Sequence, residues 1–382
     1  FWSLLAAVVK FTLVVSLLPP VLDGSIVVHD VLPIVPGAGL SFRVDALGLL
    51  FGLLASGLWV LTTLYSIGYM RTLGESKQTR YFASFALSLT AALGVAFAGN
   101  LLTLLIFYEL LTIATYPLVI HKETPAAIAA GRKYLAYTLP AGLALLAATV
   151  WALELAGTVE FRPGGFLAGT APDGTLIALF ILAFLGFGVK AAVMPLQGWL
   201  PAAMVAPTPV SALLHAVAVV KAGVFAGLRL IGFVFGPELL SHLGLASPLA
   251  ALAAVSILAA SVIALTQDNL KLRLAYSTVG HLSYITLGAT LFNPQAWAGA
   301  MFHIVNHAFM KITLFFCAGT IYAVTHKERV SELDGVGWRL PVTMGAFAVG
   351  ALGLAGFPPV GGFLSKWFLG AGATTAGQPL LS

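Results

Sequence analysis

Long apolar runs separated by short polar stretches make up most of this sequence. Counting about 20 apolar residues as one membrane crossing, we predict about eleven helices, with breaks at Pro, Gly, Asn and clusters of charge. They cover approximately 1–22, 45–69, 81–98, 101–120, 132–156, 176–207, 211–234, 248–267, 274–292, 297–323 and 341–369. Between the first two helices, alternating apolar residues and prolines are typical of a short exposed hairpin. The pattern predicts an all-α polytopic membrane protein with one hairpin.

Two of these segments contain residues that an unbroken membrane helix does not tolerate. The helix-breaking prolines are Pro195, Pro201, Pro207, Pro209, Pro358 and Pro359. Proline removes a backbone hydrogen bond and clashes with the preceding turn. A broken helix persists in lipid only where protein encloses it or where it lines a watery cavity. We therefore predict discontinuous helices at 176–207 and 341–369.

Lysines lie beside both predicted breaks. Lys190 is about 20 Å of helical rise from Leu176, Lys221 lies midway along the next helix, and Lys366 follows the PPVGG sequence of the second break. A charge at bilayer depth costs on the order of 3 kcal/mol or more, so such a residue is by default a functional candidate. Charge beside a helix break predicts an ion pathway.

Further ionisable residues fall near the same depth. Glu109 is the only charged residue between Tyr81 and Ile120. Spacing of i, i+4 and i+8 places three basic residues of the helix at 297–323 on one face. The predicted proton pathway is Glu109, Lys190, Lys221, His303, His307, Lys311 and Lys366, with His215 and His281 as secondary candidates. Chains of such groups are what a proton relay requires.

The two broken helices also indicate an internal repeat. They are the sixth and eleventh predicted helices, and each carries one lysine. A repeat unit with an odd number of helices returns to the membrane upside down. We therefore predict flanking helices and the hairpin at 1–80, and two inverted five-helix units, each with a discontinuous helix, at 81–234 and 248–382. The second unit is expected to be incomplete at its C-terminus.

Composition excludes several classes of protein. Of the 382 residues, 59% are hydrophobic and 9% are charged, whereas about a quarter of residues are charged in soluble proteins. The single cysteine, Cys317, provides neither an internal disulfide nor a thiolate metal site. No Gly-rich dinucleotide fingerprint or cysteine cluster is present, so no cofactor and no catalytic chemistry are predicted for this chain. The net charge of +5 does not indicate a nucleic-acid partner, because the position of the basic residues in the loops explains the excess of positive charge.

Basic residues concentrate in loops on one side of the predicted membrane. The loops after the second, fourth, eighth and tenth helices hold Arg71, Lys77, Arg80, Lys122, Arg132, Lys133, Lys271, Arg273, Lys327, Arg329 and Arg339. The opposite loops hold only Arg43 and Arg162. By the positive-inside rule the basic side faces the cytoplasm or its equivalent, and we expect a bacterial inner membrane. Lys10 interrupts the first apolar stretch, which argues against a cleavable signal peptide, and the ends are expected to be trimmed.

Structural alternatives compete with each functional interpretation. A buried lysine can belong to a structural ion pair, and histidines in membrane helices often only join helices by hydrogen bonds. His303 and His307 resemble a metal-binding pair, but no acidic residue lies between Arg273 and Lys327, so no metal is predicted. A passive scaffold and an intramembrane metalloenzyme remain the alternatives from other classes.

Five motifs resemble the antiporter-like subunits shared by respiratory complex I and the Mrp-type multisubunit sodium/proton antiporters. They are FYELLTIATYP around Glu109, GFGVKAAVMPLQGWLPAAMVAPTPVSALLHA around Lys190, TQDNLKLRLAYSTVGHLSY, MFHIVNHAFMKITLFFCAG and GFPPVGGFLSKW. The resemblance covers most of the chain from about residue 80 to 369 and implies the family's fold of two inverted five-helix units. It also implies that the chain runs from the family's second helix to its twelfth.

The resemblance further implies roles for single residues. Glu109 is expected to pair with Lys190, and the basic face at His303, His307 and Lys311 is expected to pass a proton to Lys366. Lys221 matches an additional lysine found in many members. A lysine at 366 argues against the complex I member that has glutamate there.

Together these features predict a proton-translocating subunit that works with other hydrophobic subunits of the same complex. Its further predicted partners are protons, Na⁺ as the coupled cation, and membrane lipids. Mrp-type Na⁺/proton antiport is the preferred function. The alternative is a proton-pumping subunit of complex I or of a related hydrogenase complex, driven by redox chemistry in other subunits. The sequence leaves the choice between these subtypes open, and with it the question of whether Na⁺ passes through this chain.

Overall fold

Every segment predicted to be a helix contains helix in the structure, a computed structural model that describes residues 1–378. The helices are α1 (Trp2–Val15), α2 (Leu18–Leu22), α3 (Ala46–Thr72), α4 (Gln78–Ala96), α5 (Leu101–Val119), α6 (Pro125–Ala156), α7 (Asp173–Lys190), α8 (Trp199–Ala202), α9 (Thr208–Ala216), α10 (Val219–Arg229), α11 (Pro237–His242), α12 (Ala246–Thr266), α13 (Leu270–Thr290), α14 (Pro294–Thr325), α15 (Val336–Arg339), α16 (Pro341–Ala355) and α17 (Gly361–Thr375). The 3₁₀-helices are Leu196–Gly198, Ala203–Val205 and Val330–Glu332, and the π-helix is Leu230–Phe235.

Most of these helices are apolar around their whole circumference, because one side faces lipid and the other faces the protein core. Within the described chain, eight helical stretches are long and apolar enough to cross a membrane. The helices α4 and α13 and the pair α16 and α17 occupy the remaining predicted segments. The largest buried apolar cluster joins α3 to α10 with α13 and α14. The protein is an integral membrane protein with an all-α polytopic fold, as predicted.

A β-hairpin follows α2, as the alternating pattern predicts. Its strands β1 (Val27–Val35) and β2 (Ala38–Val44) pair antiparallel. β1 is exposed along most of its length, whereas β2 packs inward. The main-chain N–H of Ser41 donates to Thr103 Oγ1 over 3.0 Å, which attaches the hairpin to the start of α5.

Contacts between loops agree with the predicted alternation of sides. Arg80 Nη1 lies 2.5 Å from Glu123 Oε1, and Lys77 Nζ donates to the same carboxylate. The Ser331 hydroxyl donates to Asp268 Oδ2 over 2.8 Å. The first contacts join the loop after α5 to Lys77 in the loop after α3 and to Arg80 in the first turn of α4, and the second joins the loops after α12 and α14. In each case two loops predicted to share the basic side are in contact.

The first predicted discontinuity begins where α7 ends, at Lys190. Pro195 lies in the irregular stretch before α8, and Pro207 is the N-cap of α9. Pro201 and Pro209 lie in the first turns of α8 and α9. A helix tolerates proline there because the missing N–H has no intrahelical partner. These two prolines are therefore accommodated near the starts of short helices, while Pro195 falls in the break itself.

A further break, which the sequence analysis did not predict, separates α9 from α10 at residues 217–218. The prediction of one continuous helix over 211–234 is wrong. Lys221 consequently lies in the first turn of α10, not midway along a helix. Gly223 explains the close approach of α10 to α7, since a Cβ at this position would lie 2.5 Å from the backbone carbon of Lys190.

The last discontinuity lies between α16 and α17, as predicted. Gly356 ends α16 in the left-handed region with φ of 85°, a conformation that favours glycine. Pro358 and Pro359 follow before α17 begins.

One helix boundary differs in a way that changes the loop assignment. α6 begins at Pro125, where Thr124 caps it by accepting a hydrogen bond from Ala127 N over 3.2 Å. Arg132 and Lys133, expected in a loop, therefore lie within the first turns of α6.

Candidate functional site

An ion pair joins the middle of α5 to the end of α7. Glu109 Oε1 lies 3.5 Å from Lys190 Nζ, and the Lys190 side chain is fully buried. The ammonium also donates to the main-chain carbonyl of Tyr108 and lies 3.4 Å from the centroid of the Tyr108 ring. A carboxylate, a carbonyl and an aromatic face thus surround one buried cation, which is how a charge is accommodated at membrane depth.

The position of Glu109 follows from the start of α5 and from a gap in α6. Asn100 caps α5 by accepting a hydrogen bond from Thr103 N over 2.7 Å. Gly142 leaves room for the carboxylate, because a Cβ there would lie 2.5 Å from Glu109 Cδ. The Glu109 side chain is 27% exposed and lies in an apolar groove between α5 and α6. The Glu109 side chain is therefore accessible from the outer surface of the helix bundle.

A second group of ionisable side chains forms a line from α10 to α17. Lys221 Nζ lies 2.9 Å from His307 Nδ1. The His307 ring is 5.3 Å, between centroids, from the ring of His281, whose Nδ1 lies 3.0 Å from His303 Nε2. His303 Nδ1 lies 2.9 Å from Ser365 Oγ. The line therefore reaches from the break before α10 to the first turns of α17.

Lys366 lies at the far end of this line without entering it. Its ammonium donates to the carbonyl of Ala355 over 3.1 Å, across the break between α16 and α17. The same ammonium is 5.3 Å from the centroid of the Tyr284 ring. The adjacent residue, Ser365, is the one that contacts His303. The line of polar contacts thus ends at the residue that precedes Lys366 in the sequence.

Two further predicted residues, Lys311 and His215, make no contact with this line through hydrogen bonds. Lys311 is fully buried and donates to the carbonyl of Leu274 over 2.8 Å. The ring of His215 is also fully buried and packs 4.8 Å, between centroids, from Phe315. Phe315 is one turn beyond Lys311 on α14. His215 therefore lies near the level of Lys311, toward the basic side.

The structure thus gathers six of the nine predicted residues into two groups. Glu109 and Lys190 form one group, and Lys221 with His281, His303 and His307 forms the other, whereas His215, Lys311 and Lys366 have other partners. A neutral imidazole donates from one ring nitrogen and accepts at the other. The partners of His303, which are His281 and Ser365, therefore decide which of its two nitrogens carries the proton. Within the described residues, no group of three or more His, Cys, Asp or Glu side chains has an arrangement that could hold a metal ion.

Several side chains at these sites were missed by the sequence analysis. Tyr108 and Ser365 are neighbours of predicted residues, but uncharged residues are common in membrane helices and gave no signal. Arg229 and Asp45 form a bidentate ion pair, with Nη1 to Oδ2 at 2.6 Å and Nη2 to Oδ1 at 2.7 Å. Arg229 is a charge inside a predicted membrane helix, so the sequence itself marks it as a candidate.

A bundle of membrane helices with three breaks, two of which lie beside buried lysines joined to a carboxylate or to a histidine, defines a class of membrane protein with ionisable side chains in its interior. Comparison with known families identifies the family. Residues 98–382 match the family described as NADH:quinone oxidoreductase/Mrp antiporter, transmembrane, and residues 37–82 match the N-terminal part of complex I chain 5. The chain belongs to this NADH:quinone oxidoreductase/Mrp antiporter family.

Relatives of this chain are named either as antiporter subunits or as NADH-quinone oxidoreductase subunits. The chain is 36% identical to a component of the probable K⁺/H⁺ antiporter of Rhizobium meliloti, over 94% of this chain and 36% of the relative. It is 34% identical to a component of the NADH-quinone oxidoreductase of Desulforudis audaxviator, over 85% and 66%. It is 33% identical to a component of the Na⁺/H⁺ antiporter of Alkalihalophilus pseudofirmus, over 96% and 47%. The chain thus spans between about a third and two thirds of the length of these relatives.

Two solved complexes contain chains of the same fold. A chain of the Mrp complex from Dietzia sp. DQ12-45-1b superposes with a TM-score of 0.90 at 25% identity, covering 99% of this chain and 70% of the other. A chain of the archaeal membrane-bound sulfane sulfur reductase superposes with a TM-score of 0.89 at 24% identity, covering 98% and 76%. The second likeness concerns the fold alone.

Proposed function

We propose that this chain is a proton-translocating, antiporter-like subunit of a multisubunit membrane complex, and that the complex performs Mrp-type exchange of a monovalent cation for protons. The observation that carries the proposal is the buried line Lys221, His307, His281, His303 and Ser365, with polar contacts of 2.9 to 3.0 Å at three of its steps. Such a line does not stabilise the fold better than apolar side chains would, because each buried polar group costs free energy unless it is paired.

In the proposed mechanism, the ion pair of Glu109 and Lys190 controls loading. While the carboxylate lies beside the ammonium, the positive charge of Lys190 is stabilised by Coulomb attraction. When the carboxylate moves away, an uncompensated buried charge remains, which is strongly unfavourable. Lys190 then gives up its proton toward Lys221, whose helix touches the end of α7 through Gly223.

The proton next moves through the histidines. Each imidazole accepts at one ring nitrogen and releases from the other, so hydrogen-bonded rings pass a proton without moving far. His303 makes contacts at both nitrogens, one with His281 and one with Ser365. The step between His307 and His281 has only ring packing, so we propose a bridging water there. From Ser365 the proton reaches Lys366 and leaves the protein.

We further propose the two inverted units at 81–234 and 248–382, preceded by flanking elements at 1–80. The last four residues of the second unit lie outside the described residues. The third helix of each unit, α6 and α14, has 32 residues and begins with proline. The fourth segment of each unit is broken and carries a lysine at the break, Lys190 or Lys366.

Matching helix starts support the inversion. Asn100 caps α5 and forms a β-bridge with Glu160, shortly after the end of α6. Asn269 caps α13 and forms a β-bridge with Arg329, shortly after the end of α14. The first pair lies beside the hairpin, and the second pair lies at the basic loops. Equivalent features at opposite faces are what an inverted repeat produces.

The proposed setting is a bacterial inner membrane with the basic loops in the cytoplasm. The groove at Glu109 supports a hydrophobic partner protein in the same complex, since a carboxylate facing lipid is costly and a neighbouring helix would cover it. Na⁺ is the proposed exchanged cation.

A second candidate is a proton-pumping component of a complex driven by redox chemistry. Two relatives named as parts of NADH-quinone oxidoreductases, at 34% and 33% identity, favour it. Identification of the co-purifying subunits distinguishes the two, because flavin or iron–sulfur subunits accompany only the redox-driven complex.

The proposed function is tested by substituting the loading pair. We expect Glu109→Ala and Lys190→Ala each to lower cation-driven pH changes in inverted membrane vesicles at least tenfold. Glu154→Ala is the matched control, since Glu154 is an exposed carboxylate near the end of α6, and it should transport normally. Undiminished antiport in both variants of the loading pair would refute the function.

A further inference from the structure

Helices α14 and α17 pack against each other along one antiparallel seam. The residues that face each other across the seam rise in number from the start of α14 and fall along α17: Asn293 with Gly372, Gly299 with Leu369, His303 with Ser365, and Asn306 with Gly361. Glycine permits the close approach, because a Cβ at Gly299 would lie 2.9 Å from the backbone nitrogen of Leu369. The contact of His303 with Ser365 is therefore one step in a regular pairing of two helices.

Two side-chain amides form hydrogen bonds across this seam. Asn306 Nδ2 donates to the carbonyl of Gly361 over 2.6 Å, and Asn293 Nδ2 donates to the carbonyl of Gly372 over 2.8 Å. At about 1.5 Å of rise per residue, Asn306 lies about 4.5 Å from the level of His303, whereas Asn293 lies about 15 Å from it. Only the Asn306 bond therefore adjoins the buried line of ionisable side chains.

The Asn306 bond holds α17 at the point where this helix begins. Gly361 is the first residue of α17 and follows the break that contains Pro358 and Pro359. A helix that begins at a break has no helical turn before it, so contacts with neighbouring helices fix the position of its first turn. Asn306 is partly exposed at membrane depth. An unpaired amide is costly there, so the bond to Gly361 is favoured.

The position of Ser365 depends on where α17 begins. Ser365 lies one turn beyond Gly361 and therefore faces the same side of α17. Its hydroxyl donates to the carbonyl of Gly362 over 3.0 Å and lies 2.9 Å from His303 Nδ1. A hydrogen bond is lost when its two heavy atoms separate beyond about 3.5 Å. A shift of the first turn of α17 by about 1 Å would therefore break the contact with His303.

We propose that Asn306 is a positioning residue for proton release, because it holds the first turn of α17 against α14 and thereby keeps Ser365 within hydrogen-bond distance of His303. This inference rests on the proposed function and adds a residue to its last step. Asn306 carries no proton itself, since a side-chain amide does not titrate. Its effect on transport therefore passes through Ser365, and this dependence distinguishes positioning from a general contribution to the packing of α14 on α17.

The first test compares the two amides. Asn306→Leu removes the donor and nearly keeps the volume of the side chain. Asn293→Asp is the matched control, since it removes the donor to Gly372 but keeps the oxygen that caps α14 at Ala296 N. In inverted vesicles with equal amounts of assembled protein, we expect cation-driven pH changes to slow about fivefold in Asn306→Leu, as for the loss of one buried hydrogen bond. Asn293→Asp should transport normally, and equal losses in the two variants would overturn the proposal.

A double variant tests whether Asn306 acts through Ser365. Ser365→Ala alone is expected to be about fivefold slower than the unaltered protein. If Asn306 positions Ser365, the combination of Asn306→Leu with Ser365→Ala should be no slower than Ser365→Ala alone. Independent effects would multiply to roughly 25-fold, and that result would overturn the proposal. A loss in Asn306→Leu together with wild-type transport in Ser365→Ala would overturn it as well.

Gly361→Ala tests the same contact from the other helix. The added Cβ would lie 2.8 Å from Asn306 Oδ1, so the first turn of α17 must shift. We expect transport to slow about fivefold, whereas Gly345→Ala in α16, where a Cβ meets no atom within 4 Å, should have no effect. Wild-type transport in Asn306→Leu, or in Gly361→Ala if the former does not assemble, would overturn the role of Asn306. The proposed function would then still stand, because it is decided by Glu109 and Lys190.

Discussion

At the scale of single residues, His303 connects the two ends of the buried line. Its Nε2 faces His281 Nδ1 at 3.0 Å, and its Nδ1 faces Ser365 Oγ at 2.9 Å. An imidazole bonded at both nitrogens can take up a proton on one side and release it on the other. Ser365 also donates to the carbonyl of Gly362 over 3.0 Å, which fixes its hydroxyl in the first turns of α17.

Removal of this hydroxyl should slow transport without disturbing the fold. Ser365→Ala leaves His303 Nδ1 unpaired, and the loss of one buried hydrogen bond of about 1 kcal/mol corresponds to a roughly fivefold slower rate. The measurement is the initial rate of cation-driven pH change in inverted vesicles. Thr374→Ala, which removes an exposed hydroxyl from the same helix, should have no effect. Equal rates for Ser365→Ala and the unaltered protein would contradict the role of Ser365.

The sequence predicted the charged members of the site because charge is rare at membrane depth and stands out there. It did not predict Tyr108 or Ser365, whose importance comes only from the residues that the fold brings against them. For Glu109 it did not predict the exposure, since the groove beside Gly142 depends on how α5 packs on α6.

At the scale of elements, a buried ion pair fixes the start of α3 to the end of α10. The Arg229 side chain is 1% exposed and its Asp45 partner 14% exposed. The guanidinium also lies 4.6 Å from the centroid of Phe233. The π-helix begins directly after Arg229, so this pair holds the segment that contains Lys221 against the hairpin side of the bundle.

Breaking this pair should be costly. Asp45→Ala leaves a buried guanidinium without its carboxylate, and we expect a loss of about 3–5 kcal/mol in the free energy of unfolding. Thermal unfolding of the purified complex in detergent measures it. The exposed pair of Asp173 and His242, with side chains 62% and 67% exposed, provides the control, and Asp173→Ala should change little. Similar melting temperatures for Asp45→Ala and Asp173→Ala would show that the buried pair has no anchoring role.

Sequence signals located two of the three breaks and missed the third. Prolines mark the discontinuities after Lys190 and before α17, because proline acts on its own chain. The break at 217–218 contains only valine and alanine, and it lies where α9 packs on α14 while Gly223 draws α10 against α7. A break set by contacts distant in sequence leaves no local mark.

At the scale of the whole molecule, the broken helices bring ionisable groups from distant parts of the chain together in the interior, Glu109 with Lys190 and Lys221 with His307. Helix number and the sides of the loops could be predicted from apolar length and from the basic residues, because the bilayer imposes both. The face covered by a partner could not be predicted, since it depends on surfaces that form only after folding.

The path is tested most directly at Lys221, where the line begins. Lys221→Met removes the ammonium that contacts His307 and keeps the apolar length of the side chain. The measurement is the cation-driven pH change in inverted vesicles, at equal amounts of assembled protein. Lys10→Met is the matched control, because Lys10 is an intramembrane lysine outside the line, bonded to Thr90 Oγ1 over 2.8 Å. We expect at least a tenfold loss for Lys221→Met and no loss for Lys10→Met. Wild-type transport by Lys221→Met would contradict proton passage along this line.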